Sequence, residues 1–207
     1  MQDISFVLLG FFTGLSLILA IGAQNIFVIE QGLKKQYIFL VCLICSISDL
    51  ILIFLGIFLF EYLDYLFTFK IEVLLNVLLF IFLIYFITNK IIINNKNLTL
   101  EFNSEYLSLK NIVIKTLGFT YLNPHVYSDT VFFLGNFSKN FSISDKYYFG
   151  FGAALASLIF FFTLGYLSQS LSIYLQKKNV WRIINIFIII FMSILLIYVA
   201  RDILSVI

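Results

Sequence analysis

The sequence predicts an all-α integral membrane protein with six transmembrane helices, arranged as two inverted three-helix repeats in which helices 1 and 4 are interrupted. Hydrophobic residues make up 62% of the 207 positions and charged residues 12%, a composition too apolar for a soluble domain of this length. The apolar runs are continuous, whereas the strands of a membrane barrel alternate apolar and polar residues. Residues 37–60, for example, carry one formal charge, that of Asp49. The spans are therefore predicted to be helices.

Six segments are long enough to cross a bilayer, because a span needs about 20 predominantly apolar residues. The predicted spans are residues 4–29, 37–60, 73–93, 111–134, 147–171 and 181–200. They leave no room for a separate soluble domain, so residues 1–207 are expected to form one membrane domain. The first segment has no basic start and is expected to be a retained helix, not a cleaved signal peptide. It could instead be a re-entrant hairpin, which would leave five full spans.

The lysines and arginines of the connections predict an orientation. With the N-terminus outside, nine of them lie in cytoplasmic connections and four lie outside. Positive charges favour the cytoplasmic side of a membrane. Both termini are therefore expected to lie outside.

The longest connection, residues 94–110, divides the predicted spans into two halves, with repeat one at about 1–93 and repeat two at about 111–207. Residues 20–28 of the first span can be laid over residues 121–129 of the fourth. Each stretch has a helix breaker, Gly22 or Pro124, beside polar residues, and these residues weaken or interrupt helices. Because each half has an odd number of spans, the second half would be inverted, as in many transporters whose interrupted helices meet at the midplane.

Two acidic residues in the predicted spans are the first candidates for a functional site. A charged side chain at the bilayer centre costs about 2.5 to 3.5 kcal/mol on translocon scales, so Asp49 and Asp129 are expected to face a cavity or a partner. The alternative is a carboxylate that only fixes helix packing. His125 precedes Asp129 by four residues and would share its face of an α-helix, where the two could exchange a proton. His125 could equally be a satisfied polar residue at a helix break.

The polar residues beside the two breaks are the remaining candidates. Gln24 and Asn25 follow Gly22, and their amides could bind a substrate or satisfy freed backbone groups. Asn123 and Tyr127 form a second polar stripe, in which Asn123 could instead cap the resumed helix. Helix N-termini at the breaks would attract a carboxylate. One site could thus hold a zwitterion with an additional positive charge.

The composition and spacing argue against several other functions. The net charge of +2 is spread over loops, without the basic face that nucleic-acid binding requires. No His, Cys, Asp and Glu cluster has metal-ligand spacing, and no cofactor motif or paired nucleophile and base is present.

A face of small residues in the fifth span is expected to serve close helix packing, within the chain or in a homodimer. These residues are Gly150, Gly152, Ala153, Ala154 and Ala156.

Several sequence motifs resemble those of one known family. They are GLSLILAIGAQN at 14–25, QGL at 31–33 and DL at 49–50 in the first half, and LNPHVYSDTV at 122–131 in the second. In this order they resemble the LysE/ArgO family of basic amino acid exporters, over essentially the whole chain. The resemblance implies a multi-pass exporter of L-lysine or L-arginine in the bacterial inner membrane, driven by the proton gradient or the membrane potential.

Differences from related branches refine what the resemblance implies. Neutral amino acid exporters of the wider superfamily typically carry Pro-Gly-Pro at positions 21–23 and Asn-Pro-Lys at positions 123–125, where this chain has Ile-Gly-Ala and Asn-Pro-His. The family usually has Leu at Ser128 and a Trp near Phe160 or Phe161, and these departures could alter the preferred cation. The alternatives are an exporter of another small cation or of a neutral amino acid, and a passive channel.

Overall fold

The computed structural model describes residues 2–19, 22–66, 69–96, 107–123, 126–175 and 178–204. Throughout these ranges the backbone is helical apart from short turns, which confirms the all-α prediction. The described α-helices are α1 Gln2–Ile18, α2 Ala23–Lys34, α3 Ile38–Leu66, α4 Phe69–Lys96, α5 Leu109–Tyr121, α6 Leu134–Ser138, α7 Ile143–Leu175 and α8 Lys178–Leu204, with a π-helix at Tyr127–Phe133 before α6. The predicted connection at 94–110 is shorter at its start, because α4 continues to Lys96.

The first apolar segment is broken, and its two helices meet at an angle of 84°. α1 ends at Ile18 and α2 begins at Ala23, with Gly22 as its N-cap. The Gly22 backbone is extended (φ −114°, ψ 179°), a conformation open to any residue. Glycine is therefore not required there by the backbone angles.

The fourth segment is also broken. α5 ends at Tyr121, and the chain resumes as a π-helix from Tyr127 to Phe133 that leads into α6. The sequence predicted an interrupted helix over 111–134. The part after the break is a π-helix, which closes its hydrogen bonds one residue later than an α-helix. Pro124 and His125, which carried the predicted break and a predicted proton partner, lie outside the described residues.

Each broken segment packs along a long helix from the other half of the chain. α1 follows the first part of α7, where a Cβ at Gly10 would lie 2.0 Å from the Phe149 carbonyl oxygen. α2 follows the later part, where a Cβ at Gly32 would lie 2.5 Å from the Gly165 carbonyl oxygen. Only glycine permits approaches this close. The small-residue face predicted on the fifth span is thus occupied within the chain.

The π-helix and α6 pack along α3, as α1 and α2 pack along α7. A Cβ at Gly56 would lie 2.5 Å from the Val131 carbonyl oxygen, and a Cβ at Gly135 would lie 2.6 Å from the Gly56 carbonyl oxygen. The remaining long helices, α4 and α8, pack against each other. The described part of the chain therefore forms three helix pairs, each joining the two halves.

The helices carry the apolar surface expected of a multi-pass membrane protein. Among the described residues, two segments are long and apolar enough to cross a membrane, Ile38–Phe60 and Ile143–Ser172, and the bent pair α1–α2 is a third if it counts as one span. Shorter apolar stretches occupy Asn76–Thr88 and Ile186–Arg201. Large apolar side chains on α4 and α8 face outward, as a lipid-contacting surface requires. The number of six spans stays a prediction.

Candidate functional site

A cavity of about 360 Å³ lies where the two broken segments meet. This volume is within the range of about 300–1,000 Å³ that small-molecule sites occupy. Helices α1 to α4 contribute to its wall from the first half, and the π-helix, α7 and α8 contribute from the second, together with Asn123, which follows α5. Its polar side chains are Gln24, Asn25, Asp49, Asn123, Asp129, Thr130 and Tyr198. Apart from Tyr127 and His125, the side chains predicted for the site thus line one cavity.

The two breaks face each other across this cavity. Gly22 and Asn123 both line it, and a Cβ added to Gly22 would lie 4.0 Å from the Asn123 Nδ2. The sequence overlay had paired these two positions, one from each half. Their proximity agrees with the expectation that the interruptions meet.

Asp49 is buried in the middle of α3, with 3% of its surface exposed. The Ser157 hydroxyl on α7 donates a 2.7 Å hydrogen bond to Asp49 Oδ2. Ser157 is itself fully buried. A buried carboxylate needs such donors, because desolvation of an unsatisfied charged group is costly. The contact fixes the carboxylate at the cavity wall.

Asp129 reaches the cavity from the π-helix and is half-buried. The predicted pairing with His125 assumed α-helical spacing of four residues. The π-helix begins at Tyr127, so Asp129 does not lie on a regular α-helix. His125 is outside the described residues, and its role as a partner of Asp129 stays a prediction.

The neighbouring amides of Gln24 and Asn25 have different environments. Asn25 Nδ2 donates a 3.1 Å hydrogen bond to the carbonyl of Ile18, the last residue of α1. Gln24 Nε2 is buried and has no hydrogen-bond partner among the described residues. Asn25 therefore satisfies a backbone group freed by the break, whereas Gln24 has no such contact.

Tyr127 satisfies the second break in a similar way. Its hydroxyl donates a 2.9 Å hydrogen bond to the carbonyl of Tyr121, the last residue of α5. It does not belong to the cavity wall. In both segments, a side chain after the break thus bonds to the carbonyl at the end of the preceding helix.

Comparison with known proteins identifies the family. The family model described as LysE type translocator matches residues 15–204. The chain belongs to this family. The arginine exporter protein ArgO of Salmonella paratyphi A is 33% identical over 201 residues, which cover 96% of this chain and 95% of the relative. ArgO of Salmonella typhimurium strain LT2 shows the same identity and coverage. The protein YggA of Aeromonas salmonicida is 32% identical over 177 residues, 85% of this chain and 86% of the relative. No solved structure matches.

Membership of the LysE type translocator family makes this chain a transporter and not an enzyme, as the sequence motifs predicted. The charge of the cavity suits that role. Two carboxylates line it, and its described wall contains no lysine or arginine. If both carboxylates are ionised, the wall attracts a cation, because the attraction between opposite charges is only weakly screened away from bulk water.

Sequence reasoning missed three residues of this candidate site. Ser157 is a single hydroxyl in an apolar helix, and only packing of α7 against α3 reveals its contact with Asp49. Thr130 and Tyr198 also line the cavity. Thr130 lies next to a predicted site residue, which was a usable signal. Tyr198 lies near the end of the predicted sixth span, where a tyrosine more often marks the membrane interface.

Proposed function

We propose that this translocator exports a cationic amino acid, L-arginine or L-lysine, across the bacterial inner membrane through the cavity between its two broken segments. The observation that carries the proposal is the meeting of Asp49 and Asp129, one from each half, at a cavity whose described wall has no basic residue. Intramembrane carboxylates of this kind mark substrate and ion pathways in membrane proteins. The names of the arginine exporters among the relatives support the same substrate class.

The cavity has a complementary group for each charge of such a substrate. The two carboxylates balance the side-chain cation and the α-ammonium. The N-terminus of α2 borders the cavity at Gly22 and Ala23, and none of the described side chains caps it. The backbone N–H groups of its first turn and the positive end of the helix dipole attract the substrate carboxylate. The Gln24 amide adds a further donor beside it.

Arginine is the first substrate to test. Its guanidinium is planar and bonds a carboxylate through two parallel N–H groups, whereas the lysine ammonium is a compact point charge. A carboxylate held at a fixed angle, as Asp49 is by Ser157, suits the planar group. Lysine remains the second candidate.

Export of a net positive charge against an inside-negative potential requires an energy source. Moving one charge against 100 mV costs about 2.3 kcal/mol, and inward movement of protons can supply it. Asp49 and Asp129 are the candidate proton acceptors, alternately binding substrate and proton, with His125 as the candidate proton partner of Asp129.

We also propose that the chain has six spans in two inverted repeats. The packing supports this arrangement because the same pairs recur when each segment is replaced by its counterpart in the other half. The first segment, α1–α2, packs on α7, and its counterpart, the fourth segment, packs on α3. The remaining counterparts, α4 and α8, pack on each other. In the first two of these pairs, residue numbers rise in the same direction along both partners, so the partners are parallel. Six spans of alternating direction would give the same result, since the first span runs parallel to the fifth and the second runs parallel to the fourth.

The test is transport by the purified protein in liposomes, with pH gradient and membrane potential imposed separately. Efflux of radiolabelled arginine, lysine and leucine is measured over a range of internal concentrations. We expect saturable efflux of arginine or lysine, little efflux of leucine, and acceleration by an inward proton gradient. Leucine efflux at the same rate would favour a neutral amino acid exporter, and flux without saturation would favour a passive channel.

Variants connect the activity to the cavity. We expect Asp49→Asn and Asp129→Asn to abolish arginine efflux while the protein remains folded in the membrane. The matched control is Asp145→Asn, because Asp145 lies at the start of α7 and bonds to Ser142, away from the cavity. Normal efflux by both cavity variants would contradict the proposed role of the carboxylates.

A further inference from the structure

Three phenylalanine rings lie just beyond one end of the cavity. Phe27, Phe86 and Phe119 come from α2, α4 and α5 and are at most 5% exposed. The ring centroid of Phe119 lies 5.1 Å from that of Phe27 and 5.0 Å from that of Phe86, distances at which rings pack in contact. Each ring lies three or four residues from a residue of the cavity wall in the same segment. This aromatic cluster therefore separates the cavity from the end of α2.

Gln31 lies beyond the aromatic cluster on the same face of α2. It follows Phe27 by four residues and Gln24, which lines the cavity, by seven. Residues at these spacings share one side of an α-helix. The rise of about 1.5 Å per residue places Gln31 about 10 Å farther along α2 than Gln24. Starting at the cavity, this face of α2 thus presents an amide, an aromatic ring and a second amide.

The Gln31 amide is buried without a partner. The side chain is fully buried, yet neither Oε1 nor Nε2 has a hydrogen-bond partner among the described residues. A buried amide in this state is costly, and an apolar side chain of similar size would avoid the cost. Gln31 therefore serves a purpose other than packing in this structure. Its two amide atoms offer one hydrogen-bond donor group and one acceptor to a polar ligand.

A different side of α2 makes the close contact with α7. A Cβ at Gly32 would lie 2.5 Å from the Gly165 carbonyl oxygen, and a Cβ at Gly165 would lie 3.7 Å from Val28 Cγ1. Gln31 is one residue from Gly32, or about 100° around the helix. The face that carries Gln31 is therefore not the one fixed against α7. It is the face directed at the aromatic cluster.

We propose that the face of α2 carrying Gln24, Phe27 and Gln31 lines one of the two routes to the cavity, which the aromatic cluster closes in this structure. The inference rests on the proposed function, because a transported amino acid must reach the cavity from each side of the membrane in turn. In an exporter this is the entry route, since α2 ends on the predicted cytoplasmic side.

Gln31 binds the head group of the entering amino acid when the rings separate. Its Nε2 donates to the substrate carboxylate and its Oε1 accepts from the α-ammonium. These groups are common to all amino acids, so Gln31 recognises the head group, whereas the carboxylates of the cavity select the cationic side chain. The amide has no described partner in the closed route because its partner is the substrate.

A glutamine in a permanently closed core would behave differently. Residue 31 would then stay inaccessible to water-soluble reagents, as its full burial in this structure implies. Val28 is the matched control for accessibility. It lies on the same helix and is 1% exposed, but it is on the side that contacts α7.

The first experiment measures the reaction of Gln31→Cys and Val28→Cys with a cationic, water-soluble thiol reagent in lipid nanodiscs, where both faces of the protein are accessible. The wild type gives the background, since Cys42 and Cys45 are buried. The rate follows the population of the open route, so we expect Gln31→Cys to react at least about tenfold faster than Val28→Cys. Equal rates, or a rate for Gln31→Cys no higher than background, would overturn the route.

A second variant applies if Gln31→Cys does not fold. Gln31→Leu is similar in volume and removes only the amide without a described partner, so its melting temperature should equal or exceed that of the wild type. Arginine efflux from proteoliposomes, measured below the half-saturating concentration, should fall by about tenfold, the effect of one hydrogen bond to a charged group. Unchanged efflux, or a loss accompanied by a lower melting temperature, would overturn the role of Gln31.

The route and the proposed function fail in different ways. Absence of arginine and lysine efflux by the wild type would overturn the proposed function, whereas the accessibility of residue 31 does not depend on which substrate is transported. Efflux by the wild type together with an unreactive, folded Gln31→Cys would overturn the route alone.

Discussion

The Ser157 hydroxyl and the Asp49 carboxylate form a buried 2.7 Å hydrogen bond between α7 and α3. These helices come from different halves of the chain, and Asp49 lines the cavity at which both broken segments end. The bond therefore links the orientation of the Asp49 carboxylate, a candidate for substrate binding, to the packing of the two halves. A movement that separated α7 from α3 would release this carboxylate.

We expect Ser157→Ala to impair arginine export by about tenfold or more, because a hydrogen bond to a charged group contributes about 1.5 to 3 kcal/mol. The measurement is initial efflux from arginine-loaded proteoliposomes. Ser168→Ala is the control, since the described hydrogen bond of the Ser168 hydroxyl stays within its own helix, to the Leu164 carbonyl. Equal rates for the two variants would show that Ser157 does not position Asp49.

Gln24 and Asn25 are predicted to respond differently to the same substitution. Gln24→Leu removes a buried amide nitrogen without a described partner, so thermal stability should stay equal or rise while arginine export falls. Asn25→Leu removes the bond to the Ile18 carbonyl and should lower the free energy of unfolding by about 1–3 kcal/mol. Thermal unfolding in detergent and efflux assays measure the two effects. Normal export by a stable Gln24→Leu protein would exclude Gln24 from substrate binding.

Tyr127→Phe is expected to destabilise the second break. The variant keeps the ring but loses the hydroxyl that donates to the Tyr121 carbonyl, and an unsatisfied carbonyl costs about 1–3 kcal/mol. The melting temperature should fall. Tyr147→Phe removes a hydroxyl from a 56% exposed ring at the start of α7 and should leave the melting temperature unchanged. A matching loss in both variants would contradict the role of Tyr127.

Gly152→Ala is expected to disrupt the packing of α1 on α7. A methyl group there would lie 2.0 Å from the Val7 carbonyl oxygen, so the helices must separate at a cost of about 1–3 kcal/mol or more. Gly22→Ala is the matched control, because its nearest neighbour would be Asn123 Nδ2 at 4.0 Å. Thermal unfolding of the two purified variants should therefore differ. Similar melting temperatures would mean that α1 is not held against α7 at this point.

The sequence predicted the cavity residues best where a polar or charged side chain interrupts an apolar span. A carboxylate such as Asp49, or amides beside Gly22, are costly in a membrane unless they face a cavity or a partner. That argument depends on residue type and needs no knowledge of neighbours. It therefore identified candidates from both halves, and the overlay of Gly22 on Asn123 agrees with their proximity.

Other features depend on tertiary packing and could not be read from the sequence. Glu30 lies beside lysines near the end of a predicted span, a pattern typical of a solvated surface, yet it is 3% exposed. Tyr127 was predicted to form a stripe with Asn123 from α-helical spacing. Asn123 lies after the end of α5 and outside a helix, so α-helical spacing does not relate it to Tyr127, and the Tyr127 hydroxyl bonds to the end of α5 instead. Local sequence carries no clear signal for a π-helix.

The crosswise packing of the broken segments limits how this translocator can open. α1 and α2 lie on α7, and the fourth segment lies on α3, so each half of the sequence is interlocked with the other. We therefore expect that movement during transport does not separate residues 1–93 from residues 111–207. Each moving body is expected to combine a broken segment from one half with its supporting helix from the other.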